Sequence, residues 1–233
     1  MIHRFISLNG KDRSKRLSLY DKGRERSRFN PWNLLRVIHS PERAFHPLYL
    51  SRSMTTAVPV LIATGVIVWL VLAFAEGASL SDRLGRLAGG LFSYILFFTV
   101  TAALAAGASV WPFKGRGDFK STFALLSYST PWLAVLSVAL TIVFHIGDLD
   151  SEGAPWPLIV IALVLILAGG IWTLAMYARA ISIADDVNEG PAVCITLFAV
   201  FVASFLVDLA SAAVQPLGIE IAASVIPLDF FNG

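Results

Sequence analysis

The chain has 233 residues, of which 56% are hydrophobic and only 15% are charged. A soluble globular protein has about 25% charged residues. This composition therefore excludes a soluble domain, because so few charged residues could not cover its surface. The single cysteine, Cys194, excludes an intrachain disulfide and a cysteine-rich metal site.

The N-terminal part of the chain is strongly basic. Residues 1–52 contain 12 Lys and Arg against 4 Asp and Glu, whereas the remainder contains 6 basic and 12 acidic residues. Residues 1–30 are rich in charge and poor in large apolar side chains, which predicts a disordered cytoplasmic tail. Such a tail is attracted to anionic lipid. Docking of a protein is the alternative, and we expect no nucleic-acid partner because few aromatic residues lie among the basic ones.

Residues 31–52 predict short amphipathic helices that lie at the membrane interface. The segment WNLLRVIH, residues 32–39, is too short to span a membrane, but it has a broad apolar face interrupted by Arg36. Pro41 is typical of the first turn of a new helix, and we expect Phe45 to point to lipid. Candidate interfacial or partner contacts here are Trp32, Arg36, Pro41 and Phe45.

Five long stretches without acidic or basic residues predict five transmembrane helices. A helix needs about 20 residues to cross the hydrocarbon core, and the absence of alternating polarity excludes a transmembrane β-barrel. We therefore predict an all-α membrane protein, a five-transmembrane-helix bundle of residues 53–215 with an N-terminal amphipathic interfacial helix. Arg179 and Asp208, near the ends of the fourth and fifth spans, are further candidate contacts. The predicted spans are about 55–75, 88–111, 121–145, 156–179 and 191–213.

The distribution of basic residues predicts the orientation of the bundle. The segments that we expect on the same side of the membrane as the N-terminus contain 16 Lys and Arg, whereas those on the opposite side contain only Arg83 and Arg86. Because basic loops stay in the cytoplasm, we expect a cytoplasmic N-terminus and an external C-terminus. Residues 216–233 are then an outward-facing tail, with a short surface helix rather than a sixth span.

The third predicted span contains an unusual polar segment, Tyr128, Ser129, Thr130 and Pro131. Proline has no N–H group, so Pro131 cannot donate to the carbonyl of Ser127. Neighbouring hydroxyl groups can satisfy that carbonyl and permit a kink near the middle of the membrane. The four residues are therefore a candidate hinge or polar contact with a substrate, and a kinked packing helix is the alternative.

Motifs of soluble enzymes do not occur in this sequence. There is no phosphate-binding loop, nucleophile elbow or zinc-binding helix motif, and we expect a non-enzymatic protein with no catalytic residues, cofactor or metal. His39 and His46 lack a matching set of metal ligands. Asp185, Asp186 and Glu189 could hold a hard cation, although a solvated loop is the favoured interpretation.

Three segments together resemble the Yip family of Rab/Ypt-interacting membrane proteins. They are WNLLRVIHSPERAF (residues 32–45), GRGDFKSTFALLSYSTP (residues 115–131) and IWTLAMYARAISIA (residues 171–184). The resemblance implies five spans, a cytoplasmic N-terminus and no agreed catalytic residues. It also implies, for a eukaryotic member, a place in Golgi or endoplasmic reticulum membranes and a small GTPase as partner. The short basic N-terminal region is more similar to a prokaryotic member in an inner membrane.

These observations favour a non-enzymatic membrane scaffold or adaptor that organises other membrane components, with the lipid bilayer, other membrane proteins or itself as partners. The alternative is a small oligomeric transporter or channel for a lipid-like or neutral solute. A water-filled path lined by Tyr128, Ser129 and Thr130 would favour transport. A tightly packed core with an apolar groove on one face would favour the scaffold.

Overall fold

A computed structural model describes residues 32–51, 54–75, 80–111, 113–147 and 155–214, and within these ranges the chain forms helices and no strand. The predicted tails, residues 1–30 and 216–233, lie outside them. In chain order the helices are α1 (Trp32–His39), α2 (Pro41–Ser51), α3 (Met54–Ala75), α4 (Leu80–Val110), α5 (Phe119–Ser129), α6 (Pro131–Gly147), α7 (Trp156–Asp185) and α8 (Glu189–Val214).

Five helical segments in the described residues are long and apolar enough to cross a membrane. They are α3, α4, the pair α5–α6, α7 and α8. This finding confirms the prediction of an all-α protein with five spans. Each segment consists largely of aliphatic and aromatic residues, and within a bilayer a helix satisfies all of its own backbone groups.

The fourth span is longer than the sequence indicated. The prediction placed its end at Arg179, but α7 continues to Asp185. The extra turns are covered by protein, since Ala180, Ile181 and Ala184 are completely buried. The charged side chain of Arg179 therefore does not mark the end of the helix.

Helix α5 lies at the centre of the bundle. Every residue from Ser121 to Thr130 is buried, because α1, α2, α3, α4 and α7 all contact α5. An aromatic cluster lies in the same core, where the ring of Phe98 is 4.8 Å from that of Tyr94 and 5.9 Å from that of Tyr177, measured between centroids.

Helices α1 and α2 pack against the bundle rather than only lying on it. Val37, Phe45 and Leu48 are buried in the core, while Arg36 and His39 are exposed, so α1 has the predicted amphipathic character. The expectation that Phe45 points to lipid is wrong. Its side chain is 0% exposed because α2 contacts both α5 and α7.

Candidate functional site

The third span is interrupted at the polar segment singled out in the sequence. α5 ends at Ser129, Thr130 forms a turn and Pro131 begins α6. The carbonyl of Ser127 accepts a hydrogen bond from the Thr130 hydroxyl at 2.7 Å and from the Thr130 N–H at 3.3 Å. This arrangement confirms that a neighbouring hydroxyl compensates for the proline.

The other hydroxyl groups of this segment are also engaged within the protein. Ser127 donates to the carbonyl of Phe123 at 2.8 Å, and Ser129 donates to that of Leu126 at 2.6 Å. The hydroxyl of Tyr128 is hydrogen-bonded to that of Thr56 on α3. Tyr128, Ser129 and Thr130 are at most 1% exposed. The hydroxyl of Tyr128 links α5 to α3, whereas those of Ser129 and Thr130 are satisfied by carbonyls of α5 itself.

A second polar centre lies where the loop of residues 113–118 meets the turn of residues 185–188, and we call it the Asp185 junction. Asp185 is completely buried. One of its carboxylate oxygens accepts hydrogen bonds from the Asp118 N–H at 3.0 Å and the Thr122 hydroxyl at 3.1 Å. Its backbone carbonyl accepts from the Arg116 N–H at 2.7 Å. One residue thus connects the end of α7 to the loop before α5.

The loop of the Asp185 junction needs glycine at two positions. Gly117 has φ +62°, and a Cβ there would lie 2.3 Å from the Cγ2 of Val110. A Cβ on Gly115 would lie 2.7 Å from the backbone oxygen of Asp185. The glycines therefore permit the backbone to approach its neighbours closely.

Local capping stabilises both helices that meet at the Asp185 junction. Asp118 is the N-cap of α5, where its carboxylate accepts from the Lys120 N–H at 3.2 Å and from the Ser121 hydroxyl at 2.6 Å. At the other side, Asp186 ends α7 in the left-handed conformation with φ 58°. Aspartate is among the few residues that adopt this conformation readily.

Two ion pairs lie at the surface of the Asp185 junction. Arg116 lies 3.1 Å from the carboxylate of Asp186 and donates to the hydroxyl of Tyr49 at 3.2 Å. The hydrogen bond with Tyr49, aided by the nearby Asp186 carboxylate, raises the pKa of Arg116. Arg179 forms an ion pair with Glu189. These contacts attach α2, α7 and α8 to the same surface.

The three carboxylates considered as a cation site do not converge. Asp185 binds Asp118 and Thr122, whereas Asp186 and Glu189 pair with different arginines. Within the described ranges no group of three His, Cys, Asp or Glu residues could hold a metal ion. The favoured interpretation of a solvated loop is wrong for Asp185, because the α4–α5 loop covers it.

The remaining candidate contacts are dispersed. Arg36 is exposed on α1, Pro41 begins α2 and Asp208 is exposed on α8. The side chain of Trp32 lies outside the described part of the chain. None of these residues is part of the Asp185 junction.

A narrow apolar groove runs between α6 and α7. Its volume is about 390 Å³. Its lining includes Ile38, Trp132, Leu136, Val164, Gly169 and Trp172.

Sequence reasoning missed both the Asp185 junction and this groove. The run of carboxylates after the fourth span drew attention to Asp185, but nothing in the sequence indicates its partners, which lie 63 and 67 residues away along the chain. The two glycines in the loop were the available signal that the backbone turns tightly there.

Comparison with known proteins identifies one protein-family model, described as the Yip1 domain, that matches residues 35–210. The matched range includes the Asp185 junction, the interrupted third span and the groove. No curated protein and no solved structure matches the chain.

Proposed function

The chain belongs to the Yip1 domain family and is an integral membrane protein, and from this we propose that it is a non-enzymatic scaffold or adaptor. In this role it recruits or organises other membrane components through its surfaces. Its partners are other membrane proteins or further copies of itself, within the lipid bilayer.

The observation that carries this proposal is the construction of the Asp185 junction. Hydrogen bonds and ion pairs join α2, α5, α7 and α8 at this junction. The surface that they support carries five exposed charged residues, Lys114, Arg116, Lys120, Asp186 and Glu189. Charged groups held on a rigid support provide specificity in protein recognition. Such a surface suits a protein that binds partners rather than one that transforms a substrate.

In the orientation that we propose, this surface faces the compartment in which soluble and membrane partners are available. The excess of basic residues on the N-terminal side supports a cytoplasmic N-terminus, and an odd number of spans then puts the C-terminus outside. The α4–α5 loop and the α7–α8 turn share the side of the N-terminus, so the Asp185 junction faces the cytoplasm. A bacterial inner membrane is the favoured location, and a small GTPase is a partner only in a eukaryotic setting.

Transport of a lipid-like or neutral solute is the second candidate function. An open polar path through the third span would support it. The hydroxyls of Ser127, Ser129 and Thr130 instead bond to carbonyls of their own helix, and this arrangement favours the scaffold.

Charge reversal on the Asp185 junction tests the scaffold directly. In Arg116→Glu the backbone N–H that binds Asp185 remains, and in Lys120→Glu a negative charge enters the first turn of α5, where the helix dipole favours it. We expect both variants to fold. We also expect them to lose membrane proteins that co-purify with the wild type from native membranes in mild detergent, measured by quantitative mass spectrometry.

The matched control is Arg43→Glu, a charge reversal at an exposed residue of α2 outside the Asp185 junction. It is expected to retain the partners of the wild type. Identical partner sets for the wild type and both junction variants would contradict the proposal. Solute flux through proteoliposomes containing the purified protein alone would favour transport instead.

A further inference from the structure

Asp185 ends α7 beyond the hydrocarbon core of the membrane. From Trp156 to Asp185 the helix rises about 44 Å at about 1.5 Å per residue, whereas the core is about 30 Å thick. The next residue, Asp186, pairs with Arg116, and both of these side chains are more than half exposed to water. The buried carboxyl group of Asp185 therefore lies close to a hydrated, charged surface.

Only one oxygen of the Asp185 carboxyl group is engaged. Its Oδ1 accepts hydrogen bonds from the Asp118 N–H at 3.0 Å and from the Thr122 hydroxyl at 3.1 Å. Its Oδ2 is buried and has no hydrogen-bond partner among the residues that the structure describes. The hydroxyl of Ser109 lies close to the carboxyl group, but it donates to the carbonyl of Ala106 at 2.8 Å.

The basic side chains around the junction are committed to other acids. Arg116 gives Asp185 only its backbone N–H, and its guanidinium pairs with Asp186. Arg179, on α7 itself, pairs with Glu189 at the start of α8. Within the described part of the chain, Asp185 thus forms no ion pair that would stabilise a negative charge on it.

The charged group that does act on Asp185 is itself acidic. Asp118, at the start of α5, carries a carboxylate whose negative charge opposes a second one on Asp185. The ammonium group of Lys120 is on an exposed side chain, and α4 contributes only the uncharged Ser109. Burial without a cation, beside a like charge, favours the neutral form of a carboxyl group.

We propose that Asp185 is a proton-binding site, at which Oδ2 takes up one proton from water in weak acid and releases it near neutral pH. The new O–H donates to the hydroxyl oxygen of Ser109, whose own hydrogen is bonded to Ala106. The other oxygen keeps its bonds with Asp118 and Thr122. Proton uptake therefore removes a buried charge and breaks no contact, so the Asp185 junction is more stable in weak acid.

This site does not depend on the scaffold role, because proton binding needs no partner. In the unfolded chain Asp185 is in water and is ionised above about pH 5. The folded state then binds a proton that the unfolded state does not, so stability falls as the pH rises.

The first test compares unfolding temperatures of the purified full-length protein in detergent. Asp185→Asn keeps an acceptor oxygen but cannot titrate. From about pH 5.5 to about pH 7.5 the wild type is expected to lose about 2–4 °C more than this variant. The control Asp186→Asn removes the neighbouring exposed carboxylate and is expected to behave as the wild type does. Equal losses in the wild type and Asp185→Asn would overturn the proposal.

The second test detects the proton itself by infrared difference spectroscopy. The wild type is expected to show the carbonyl stretch of a protonated carboxyl group at about pH 5.5 and to lose it by about pH 7.5. The band should be absent from Asp185→Asn and present in Asp186→Asn.

A further variant decides the question if Asp185→Asn does not fold. Asp118→Asn keeps a good N-cap for α5 and removes the like charge, so the midpoint of the infrared band should move to lower pH. An unchanged midpoint, a band that persists in Asp185→Asn, or a wild-type spectrum that does not change over this pH range would overturn the proposal. No partner protein is present in these measurements, so a failure of the scaffold function would not affect them.

Discussion

Asp185 shows how a single buried carboxylate can join distant parts of a membrane protein. Its two side-chain hydrogen bonds reach the N-cap residue of α5 and the first turn that follows. Removing this carboxylate leaves the partly buried Asp118 N–H without its acceptor, whereas the Thr122 hydroxyl still has the carbonyl of Asp118. Because a donor left unsatisfied away from water costs more than the net strength of the bond it made, we expect the substitution to be clearly destabilising.

We therefore expect Asp185→Ala to lower the free energy of unfolding by about 2 kcal/mol, measured by thermal unfolding in detergent. The control is Asp186→Asn, which keeps a residue suited to the left-handed conformation while removing the exposed ion pair with Arg116. Since the side chains of Arg116 and Asp186 are 59% and 70% exposed, the control should cost less than about 1 kcal/mol. Equal effects of the two substitutions would contradict the assigned role of Asp185.

Gly117 provides a second test at the scale of one residue. Gly117→Ala introduces a Cβ at φ +62° and 2.3 Å from Val110. The backbone conformation alone costs about 1–2 kcal/mol, so we expect a clearly lower unfolding temperature.

Gly107→Ala is the matched control for Gly117→Ala. Gly107 is inside α4, and a Cβ there would meet nothing within 4 Å. Alanine in a helix interior is favoured over glycine by about 0.5–1 kcal/mol, so this variant should be unchanged or more stable. A lower unfolding temperature for Gly107→Ala would contradict this expectation, because it would mean that the exposed face of α4 at Gly107 packs against another molecule.

At the scale of a helix, the interruption of the third span results from Pro131 and is compensated by Thr130. Pro131→Ala restores a backbone N–H that can donate to Ser127, so we expect a continuous helix that still inserts and folds. Hydrogen exchange should show greater protection of residues 130–134 than in the wild type. Failure of the variant to insert would contradict this expectation.

We expect the effects of two substitutions in this region on the free energy of unfolding to be coupled. Thr130→Val removes the hydroxyl that donates to Ser127 at 2.7 Å and should cost about 1 kcal/mol. In the Pro131→Ala background the new N–H satisfies that carbonyl, so the cost of Thr130→Val should fall. Additive effects in thermal unfolding would show that the two residues act independently.

The sequence predicts the helices of this protein better than it predicts their contacts. Runs without charged residues reveal spans because hydrocarbon excludes charge over a fixed thickness, and Pro131 reveals the interruption because its chemistry is local. The burial of Phe45 depends instead on the later helices α5 and α7. Asp185 likewise acquires its partners only when α4, α5 and α7 pack together, and no local sequence pattern predicts that packing.

For the whole molecule, the topology follows from the number of spans and the distribution of basic residues. Five spans place the two termini on opposite faces of the membrane, and the basic N-terminal side is expected in the cytoplasm. Reporter tags at each terminus, tested for accessibility in intact cells, should show only the C-terminal tag outside. Detection of both tags on one face would rule out five spans.

The enclosed position of α5 has a consequence for the order in which the protein is made. Its segment has the lowest mean hydropathy of the five spans, and it leaves the ribosome before α7 and α8 exist to cover it. Ser127, Ser129 and Thr130 bond to carbonyls of their own segment, so these hydroxyls need no later helix to be satisfied. The segment can thus insert into the bilayer before the last two spans are synthesised and can remain stable there until they pack against it.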